Sequence, residues 1–299
     1  MERTVMLVIA AILLVFSASV VFAAATEEST TLKDIVFCKA GSRTLRMNLT
    51  LPAGAPEKKS PAIIWIHGGG WFMGDRNADL TQEWGLNGHG FVTGSIEYRL
   101  SQEAKYPAQI EDCKAAIRFL RANADKYGID ADRIGVWGGS AGGHLAALLG
   151  TTADIKRLDG DGDNLEYSSR VQAVCVKYGP TDFSDAAMKT LIPEVVEMVS
   201  ALLGGPVSEN RGLARMASPV EFVSKDDPPT LILQGDSDPL VPLSQGEALY
   251  NALKRVGADV TFVEVKKGGH GFGPIPKTEP SFDELKKTVL EFFQRHLMD

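Results

Sequence analysis

Cysteine is scarce in this chain, with three residues among 299, and basic residues are outnumbered by acidic ones. Because three is an odd number, at least one of Cys38, Cys113 and Cys175 is unpaired, and a disulfide framework is not expected. Their positions in helical and strand-like patterns favour buried free thiols, and their spacing predicts no metal site. The net charge of −7, without a basic patch, argues against nucleic-acid binding.

Internal repeats, low-complexity tracts and Pro/Ser-rich linkers are also absent from the sequence. These absences exclude solenoids and propellers and leave no point at which to divide the chain into two domains. A content of 44% hydrophobic residues is typical of a globular protein. We therefore predict one large domain over residues 26–299.

A long apolar run occurs only at the N-terminus. Residues 5–16 are uninterrupted apolar residues, and small side chains at 23–25 suit signal peptidase. The sequence predicts a signal peptide over residues 1–25, cleaved after Ala23 or Ala25, and therefore an exported protein, periplasmic or secreted. The alternative is an uncleaved membrane anchor, because residues 5–25 are nearly long enough to span a bilayer.

Short apolar runs alternate with helical patterns through the rest of the chain. This alternation predicts an α/β fold with a mostly parallel central sheet, helices on both faces and ligands at the carboxyl ends of the strands. The first two strands are expected at an edge of the sheet, joined by the turn Gly41-Ser42. The predicted strands cover 34–38, 44–51, 62–66, 91–96, 134–137, 171–178, 230–234 and 260–265, and the helices cover 107–127, 144–149, 244–256 and 281–296.

Two stretches do not follow the alternation. Residues 159–164 resemble a calcium loop, but Asn164 and Arg170 stand where an EF-hand needs Gly and Glu, so an acidic surface loop is favoured. Residues 182–218 have an apolar helical face and lie between two predicted strands. We interpret them as a small cap insertion of one or two helices.

A pattern of strand, sharp turn and helix surrounds Ser140. Gly138 and Gly142 complete a G-x-S-x-G turn, which in this context lifts a serine hydroxyl above the sheet. The backbone N–H of Ala141, at the start of the helix, would point at an oxygen that becomes negative beside Ser140. The alternative is a glycine-rich turn with no catalytic role, so the choice depends on partner residues elsewhere.

A serine hydroxyl needs a base, and the base needs a carboxylate that orients it. In hydrolases with this turn the chain order is Ser, then Asp or Glu, then His. His270 lies in a glycine-rich loop after a strand, whereas His296 lies on the last predicted helix, so we predict His270 as the base. Asp182 and Asp238 both follow strands, and either suits a structural turn. We choose Asp238, which Ser237 and Pro239 hold in a rigid loop.

Oxyanion donors are expected from the segment His-Gly-Gly-Gly-Trp at residues 67–71, which follows a predicted strand. Its consecutive backbone N–H groups are not shielded by side chains. A phosphate-binding loop, the alternative, would end in Lys-Ser/Thr, which is missing. His67, which precedes Ser140, is expected to hold the shape of this loop. We call the G-x-S-x-G turn at residues 138–142 the elbow and the helix that follows it the elbow helix. His144, in the elbow helix, is also expected to be structural.

Five segments together resemble the α/β-hydrolase superfamily, and within it the exported bacterial carboxylesterases near the hormone-sensitive-lipase type. The resemblance spans about residues 34–297. Gly139 stands where the hormone-sensitive-lipase type usually has Asp, which favours a feruloyl/acetyl-xylan-esterase-like branch. The segments are 67–71 (HGGGW), 97–99 (EYR), 138–144 (GGSAGGH), 236–242 (DSDPLVP) and 269–272 (GHGF).

This resemblance implies an α/β-hydrolase fold and a secreted serine carboxylesterase that works through an acyl-enzyme, without a metal or organic cofactor. It implies Ser140 as nucleophile, Asp238 as orienting acid and His270 as base. The implied oxyanion hole consists of Gly69, Gly70 and Ala141.

The expected partner is a small-molecule or oligosaccharide ester. Trp71, directly after the oxyanion glycines, is expected to bind substrate and narrow the acyl side, and a small cap cannot enclose a long chain. Short acyl esters are therefore favoured, with acetyl or feruloyl esters of plant polysaccharide as the hypothesis. The alternatives are a formamidase, a serine peptidase of the same fold and a non-catalytic binding module. The predicted signal peptide argues against a formamidase. The chain is too short for the propeller domain that such a peptidase usually carries. The complete triad argues against a non-catalytic module.

Overall fold

Eight strands form one sheet in the order β1-β2-β4-β3-β5-β6-β7-β8 within the described residues of this computed structural model, which are 29–54, 58–272 and 277–299. Strands β1 and β2 pair antiparallel, as do β2 and β4, and every other neighbouring pair is parallel. The predicted α/β-hydrolase fold with a mostly parallel sheet is confirmed. The strands are β1 Thr30–Ala40, β2 Arg43–Leu51, β3 Ser60–Ile66, β4 Val92–Ile96, β5 Ile129–Gly139, β6 Ala173–Lys177, β7 Thr230–Gly235 and β8 Val260–Val265.

Helices cover both faces of this sheet. The core on one face includes apolar side chains of α1, α3 and α7, and the core on the other face includes those of α8. Ile63 and Ile64, adjacent in β3, belong to opposite cores, as the alternation of a strand requires, and both are fully buried. The helices are α1 Ala108–Ala122, α2 Ala124–Tyr127, α3 Ala141–Thr151, α4 Asp185–Met188, α5 Pro193–Leu203, α6 Arg211–Met216, α7 Leu243–Val256 and α8 Phe282–Leu297.

Two sequence predictions about these elements were wrong. Strand β2 does not lie at an edge, because β4 pairs with it on the side opposite β1. The helix predicted over residues 107–127 is divided at Asn123, whose side-chain Nδ2 donates to the Phe119 carbonyl at 2.9 Å. A side-chain bond of this kind competes with the helical ladder, and α2 then ends at Gly128 in the left-handed conformation.

The acidic loop after α3 lies at the surface, as predicted. Lys114, which is fully buried, donates from Nζ to Asp159 Oδ1 at 2.9 Å and to the Thr152 carbonyl at 2.6 Å. Arg118 donates to the Asp159 carbonyl at 3.0 Å. The loop is therefore fastened to α1 through Asp159.

The cysteines are free and buried, which confirms the prediction for Cys38, Cys113 and Cys175. The predicted signal peptide lies outside the described residues. No helix in the described part of the chain is long and apolar enough to cross a membrane.

Residues 182–218 hold three short helices, α4, α5 and α6, where one or two were expected. Capping residues separate these helices. Ser184 caps α4 by accepting from the Ala187 N–H, and α5 ends at Gly204 in the left-handed conformation. Glu194, Val195 and Met198 of α5 line a cavity beside Ser140. The division of the chain into a hydrolase domain and a cap stays a prediction.

Candidate active site

Ser140 lies in a strained turn between the last residue of β5 and the first residue of α3. Its φ of 56° and ψ of −123° are unfavourable for a residue with a side chain. Two backbone bonds hold this conformation, from the Ser140 N–H to the Lys177 carbonyl at 3.0 Å and from the His144 N–H to the Ser140 carbonyl at 3.0 Å. The side chain of Ser140 lines the cavity.

Asp238 and His270 meet beyond the ends of β7 and β8. Asp238 Oδ2 lies 2.8 Å from His270 Nδ1. Asp238 Oδ1 accepts from the N–H groups of Leu240 at 2.8 Å and Val241 at 3.0 Å, so both carboxylate oxygens have donors although the side chain is fully buried. With Nδ1 donating to the carboxylate, Nε2 is the nitrogen that can accept a proton. His270 and Ser140 line the same cavity.

The alternative acid and the alternative base lie elsewhere. Asp182 Oδ1 accepts from the Ser184 N–H at 2.8 Å, in the turn that leads into α4. His296 packs against the Phe292 ring on α8, with centroids 4.9 Å apart. The structure therefore brings Asp238, and not Asp182, to the histidine loop.

The loop after β3 contains three consecutive residues with positive φ: Gly69 at 103°, Gly70 at 59° and Trp71 at 58°. In the described part of the chain, no acceptor bonds the N–H groups of Gly69 and Gly70. Both glycines line the cavity with Ala141, whose N–H belongs to the unpaired first turn of α3. The three residues predicted to form the oxyanion hole thus line the same cavity as Ser140.

His67 holds this loop, as expected from the sequence. Its Nδ1 donates to the Gly68 carbonyl at 2.8 Å, and its ring stacks on Tyr98 with centroids 4.2 Å apart. The Tyr98 hydroxyl donates to the His67 carbonyl at 3.0 Å. Burial lowers the pKa of His67, which keeps the ring neutral.

Trp71 connects the same loop to the elbow helix. Its indole Nε1 donates to His144 Nδ1 at 3.2 Å, and His144 Nε2 donates to the Ala217 carbonyl at 2.7 Å. Burial lowers the pKa of His144 to about 4, so at neutral pH the ring can accept from one nitrogen and donate from the other. The structural role expected of His144 agrees with these contacts. Trp71 forms part of the cavity wall, but its predicted contact with substrate stays a prediction.

The cavity above Ser140 has a volume of about 450 Å³. Its wall is mainly apolar, and much of it comes from residues that sequence reasoning did not single out. Phe72, Met73, Met198 and Leu240 are exposed although they are large and apolar. Further lining residues include Trp65, Leu80, Tyr178, Pro180 and Val195.

Lys177, at the end of β6, is a fully buried lysine that sequence reasoning also missed. Its Nζ lies 3.6 Å from the Trp84 ring centroid, 4.7 Å from that of Trp137 and 4.9 Å from that of Trp65. Among the described residues this nitrogen has no hydrogen-bond partner. Burial lowers the pKa of Lys177 to about 7, because the ring faces replace only part of the lost hydration.

Stability is therefore expected to depend on the protonation of Lys177. Between the folded pKa of about 7 and the ordinary value of 10.5, the unfolded chain binds more protons, so the free energy of unfolding rises with pH through this window. Lys177→Met should remove this rise and increase the free energy of unfolding at pH 6 by roughly 5 kcal/mol, at about 1.4 kcal/mol for each unit between 10.5 and about 7. Urea unfolding at pH 6, 7.5 and 9 measures both effects.

Lys114→Met provides the matched control. Lys114 is equally buried but paired with Asp159, so its removal leaves a carboxylate without its main partner and should lower stability. Equal effects of the two substitutions, or a pH dependence that survives Lys177→Met, would contradict the role assigned to Lys177.

Comparison with known proteins places these residues in a family context. The profile of the BD-FAE family matches residues 47–253. Esterase LipC of Mycobacterium tuberculosis is 33% identical over 222 residues, which are 73% of this chain and 54% of LipC. The chain spans about half the length of the curated relatives it matches, as the shares of 54%, 56% and 49% show.

Two solved structures share this fold over most of the chain. A truncated form of a carbohydrate esterase from gut microbiota has a TM-score of 0.77 and 33% identity, and the match covers 92% of this chain and 99% of that one. A bifunctional GH43-CE protein of Bacteroides eggerthii has a TM-score of 0.74 and 31% identity, over 89% of this chain and 38% of that protein.

Proposed function

We propose that this chain, which belongs to the BD-FAE family, is a serine carboxylesterase. The observation that carries the proposal is the pair Asp238–His270, which faces the cavity of a strained Ser140. A buried carboxylate bound to a histidine, beside a serine on an elbow turn, is the arrangement that activates a hydroxyl. The similarity to LipC and to the carbohydrate esterase from gut microbiota supports the same class of reaction.

In the proposed mechanism, Ser140 Oγ attacks the ester carbonyl carbon while His270 Nε2 takes the hydroxyl proton. The carbonyl oxygen becomes negative and accepts from the N–H groups of Gly69, Gly70 and Ala141. When the tetrahedral intermediate collapses, the bond to the alcohol oxygen breaks, and His270 gives its proton to that oxygen. The acyl group remains on Ser140.

Water then repeats the same steps on the acyl-enzyme. His270 takes a proton from water, the resulting hydroxide attacks the acyl carbon, and the proton returns to Ser140 Oγ as the acid leaves. Asp238 accepts from His270 Nδ1 and so keeps the proton on that nitrogen, and two backbone donors fix the direction of the carboxylate. All these steps use groups of this chain and water.

Short acyl esters are the proposed substrates, and acetyl or feruloyl esters of plant polysaccharide are the proposed natural targets. The cavity of about 450 Å³ must hold both the acyl group and part of the alcohol. Met198 limits it above the oxyanion loop, because a Cβ at Gly70 would lie 2.5 Å from Met198 Sδ. Export through the predicted signal peptide would bring the enzyme to such polymeric esters.

We expect kcat/KM to be highest for acetyl to butyryl esters and to fall at least about tenfold by octanoyl. Met198→Ala removes the side chain above Gly70 and should shift the optimum toward longer acyl groups. The measurement is kcat/KM on p-nitrophenyl esters of two, four, six and eight carbons.

Glu197→Ala, at the neighbouring exposed position of α5, is the control and should keep the wild-type order of chain lengths. A wild-type optimum at eight carbons or longer would contradict the short-acyl proposal. An optimum that Met198→Ala does not move would show that Met198 does not limit the acyl side.

A further inference from the structure

Tyr178 lies beside the nucleophile but has no part in the reaction steps described so far. It directly follows β6 and has a φ of 38°, which is uncommon for a residue with a side chain. The bond from its N–H to the Leu233 carbonyl at 2.8 Å keeps it fastened to β7. Its side chain lines the cavity.

The phenol ring bridges the histidine loop and the elbow. It packs edge-on against the His270 ring, with centroids 4.8 Å apart, and against Phe272 at 4.9 Å. At the other end, a Cβ built on Gly139 would lie 2.7 Å from Tyr178 Oη and 3.0 Å from Cζ. The absence of a side chain at Gly139 therefore makes room for the tyrosine hydroxyl.

The order of strands decides which side of Ser140 this hydroxyl occupies. Strand β5, which ends at the elbow, lies between β3 and β6. The oxyanion loop follows β3, whereas Tyr178 follows β6, and the histidine loop follows β8 on that same side. Tyr178 and His270 thus lie together, across the elbow from Gly69 and Gly70.

A bound ester would be oriented by these two sides. Its carbonyl oxygen points to the oxyanion donors, so the alcohol oxygen faces the histidine that must protonate it. The alcohol part then extends past Tyr178. In the described part of the chain the Tyr178 hydroxyl has no protein partner, and burial raises its pKa, so it stays protonated and can donate.

We propose that the Tyr178 hydroxyl donates a hydrogen bond to a second oxygen on the alcohol part of the ester, and so determines specificity for hydroxylated alcohols. This inference rests on the proposed esterase function. An alkyl alcohol offers no acceptor, so its binding leaves a desolvated hydroxyl without a partner in a mainly apolar cavity. A hydroxylated alcohol supplies an oxygen that accepts from the Tyr178 hydroxyl.

The test compares glyceryl 1-monoacetate with propyl acetate, which have the same acyl group and the same carbon chain in the alcohol. The readout is the ratio of their kcat/KM values in the wild type and in Tyr178→Phe, which keeps the ring against His270 and removes only the hydroxyl. We expect the ratio to fall about fivefold or more, the value of one net hydrogen bond. Tyr250→Phe, on α7 against Phe262, should keep the wild-type ratio.

Gly139→Ala gives a second variant, because its methyl group would displace the phenol and should lower the same ratio. Equal losses on the two esters in Tyr178→Phe would mean that the tyrosine acts through His270, and an unchanged ratio with unchanged rates would mean that it does not contact the alcohol. Either result overturns the inference and leaves the esterase proposal intact. A wild type that cleaves neither ester would contradict the esterase proposal itself, and the inference with it.

Discussion

Replacing Ser140 with alanine is expected to lower kcat by about 10⁴ to 10⁶, the range known for the loss of a triad nucleophile. The reason is that, among the described residues that line the cavity, no other residue of the elbow carries a hydroxyl or thiol that His270 could deprotonate. Alanine keeps the Cβ and the two backbone bonds that hold the turn. The measurement is single-turnover and steady-state hydrolysis of an acetyl ester, with the wild type prepared in parallel.

Thermal unfolding separates a chemical loss from a structural one. The Ser140→Ala protein should unfold at nearly the wild-type temperature, because in the described part of the chain the Ser140 hydroxyl does not cap α3 by a hydrogen bond. A variant that is folded and retains more than about a hundredth of the wild-type kcat would be incompatible with Ser140 as nucleophile.

Asp238→Asn is expected to produce the second large loss, on the order of 10⁴ in kcat. Asp238 Oδ2 accepts from His270 Nδ1, and Oδ1 already accepts from two backbone N–H groups. An amide cannot accept at both positions, so its NH₂ group would face Nδ1 and favour the wrong tautomer of the histidine. It also removes the charge that stabilises the imidazolium during the reaction.

Asp182→Asn is the matched control for this substitution. In the described part of the chain, the Asp182 side chain accepts only from the Ser184 N–H at the start of α4, a contact that asparagine can reproduce. Its effect on kcat should stay below about tenfold. If the two aspartate variants gave the reverse result, the orienting acid would belong to the loop after β6, and the proposed assignment would be wrong.

The strands of the parallel sheet were predictable because their apolar runs are short and uninterrupted. Ile63 and Ile64 are adjacent in the sequence yet buried on opposite faces of the sheet. A strand that is covered on both faces needs apolar residues at successive positions, and this gives the uninterrupted run. The neighbours of each strand were not predictable in this way. The apolar alternation of β2 is the same whether a strand lies at an edge or next to it, so the pairing with β4 became evident only in the sheet.

The predicted helix boundaries were wrong where side chains compete with the backbone for hydrogen bonds. The apolar face of α1 continues toward Tyr127, but Asn123 bonds the Phe119 carbonyl and ends the helix there. The region 182–218 was divided more finely than its apolar pattern indicated, because Ser184 and Gly204 cap separate short helices.

The three catalytic candidates were predictable from chain order and loop position, because each lies in a recognisable local pattern. Ser140 lies in a G-x-S-x-G turn, His270 in a glycine-rich loop, and Asp238 in a loop after a strand. The sequence favours Asp238 over Asp182 through loop rigidity and through the family resemblance of residues 236–242, and the 2.8 Å contact with His270 supplies the missing geometry.

Contacts between residues far apart in the sequence were not predicted. Trp71, which the sequence predicts to bind substrate, donates to His144, 73 positions away, and the Met198 side chain of α5 lies against Gly70. Tyr178 did carry a usable signal, because it ends the strand predicted over residues 171–178 and precedes Gly179 and Pro180. Residues in that position of a parallel sheet meet at its carboxyl edge, where ligands bind.

The most direct test of the central claim is covalent labelling with a fluorophosphonate, followed by mass spectrometry of the intact protein and of its peptides. We predict one adduct per chain, on the peptide that contains Ser140, with loss of esterase activity in proportion to labelling. The Ser140→Ala protein should take up no label. Full esterase activity after prolonged exposure, or a stoichiometric adduct on another residue, would contradict the assignment of Ser140 as the nucleophile of this enzyme.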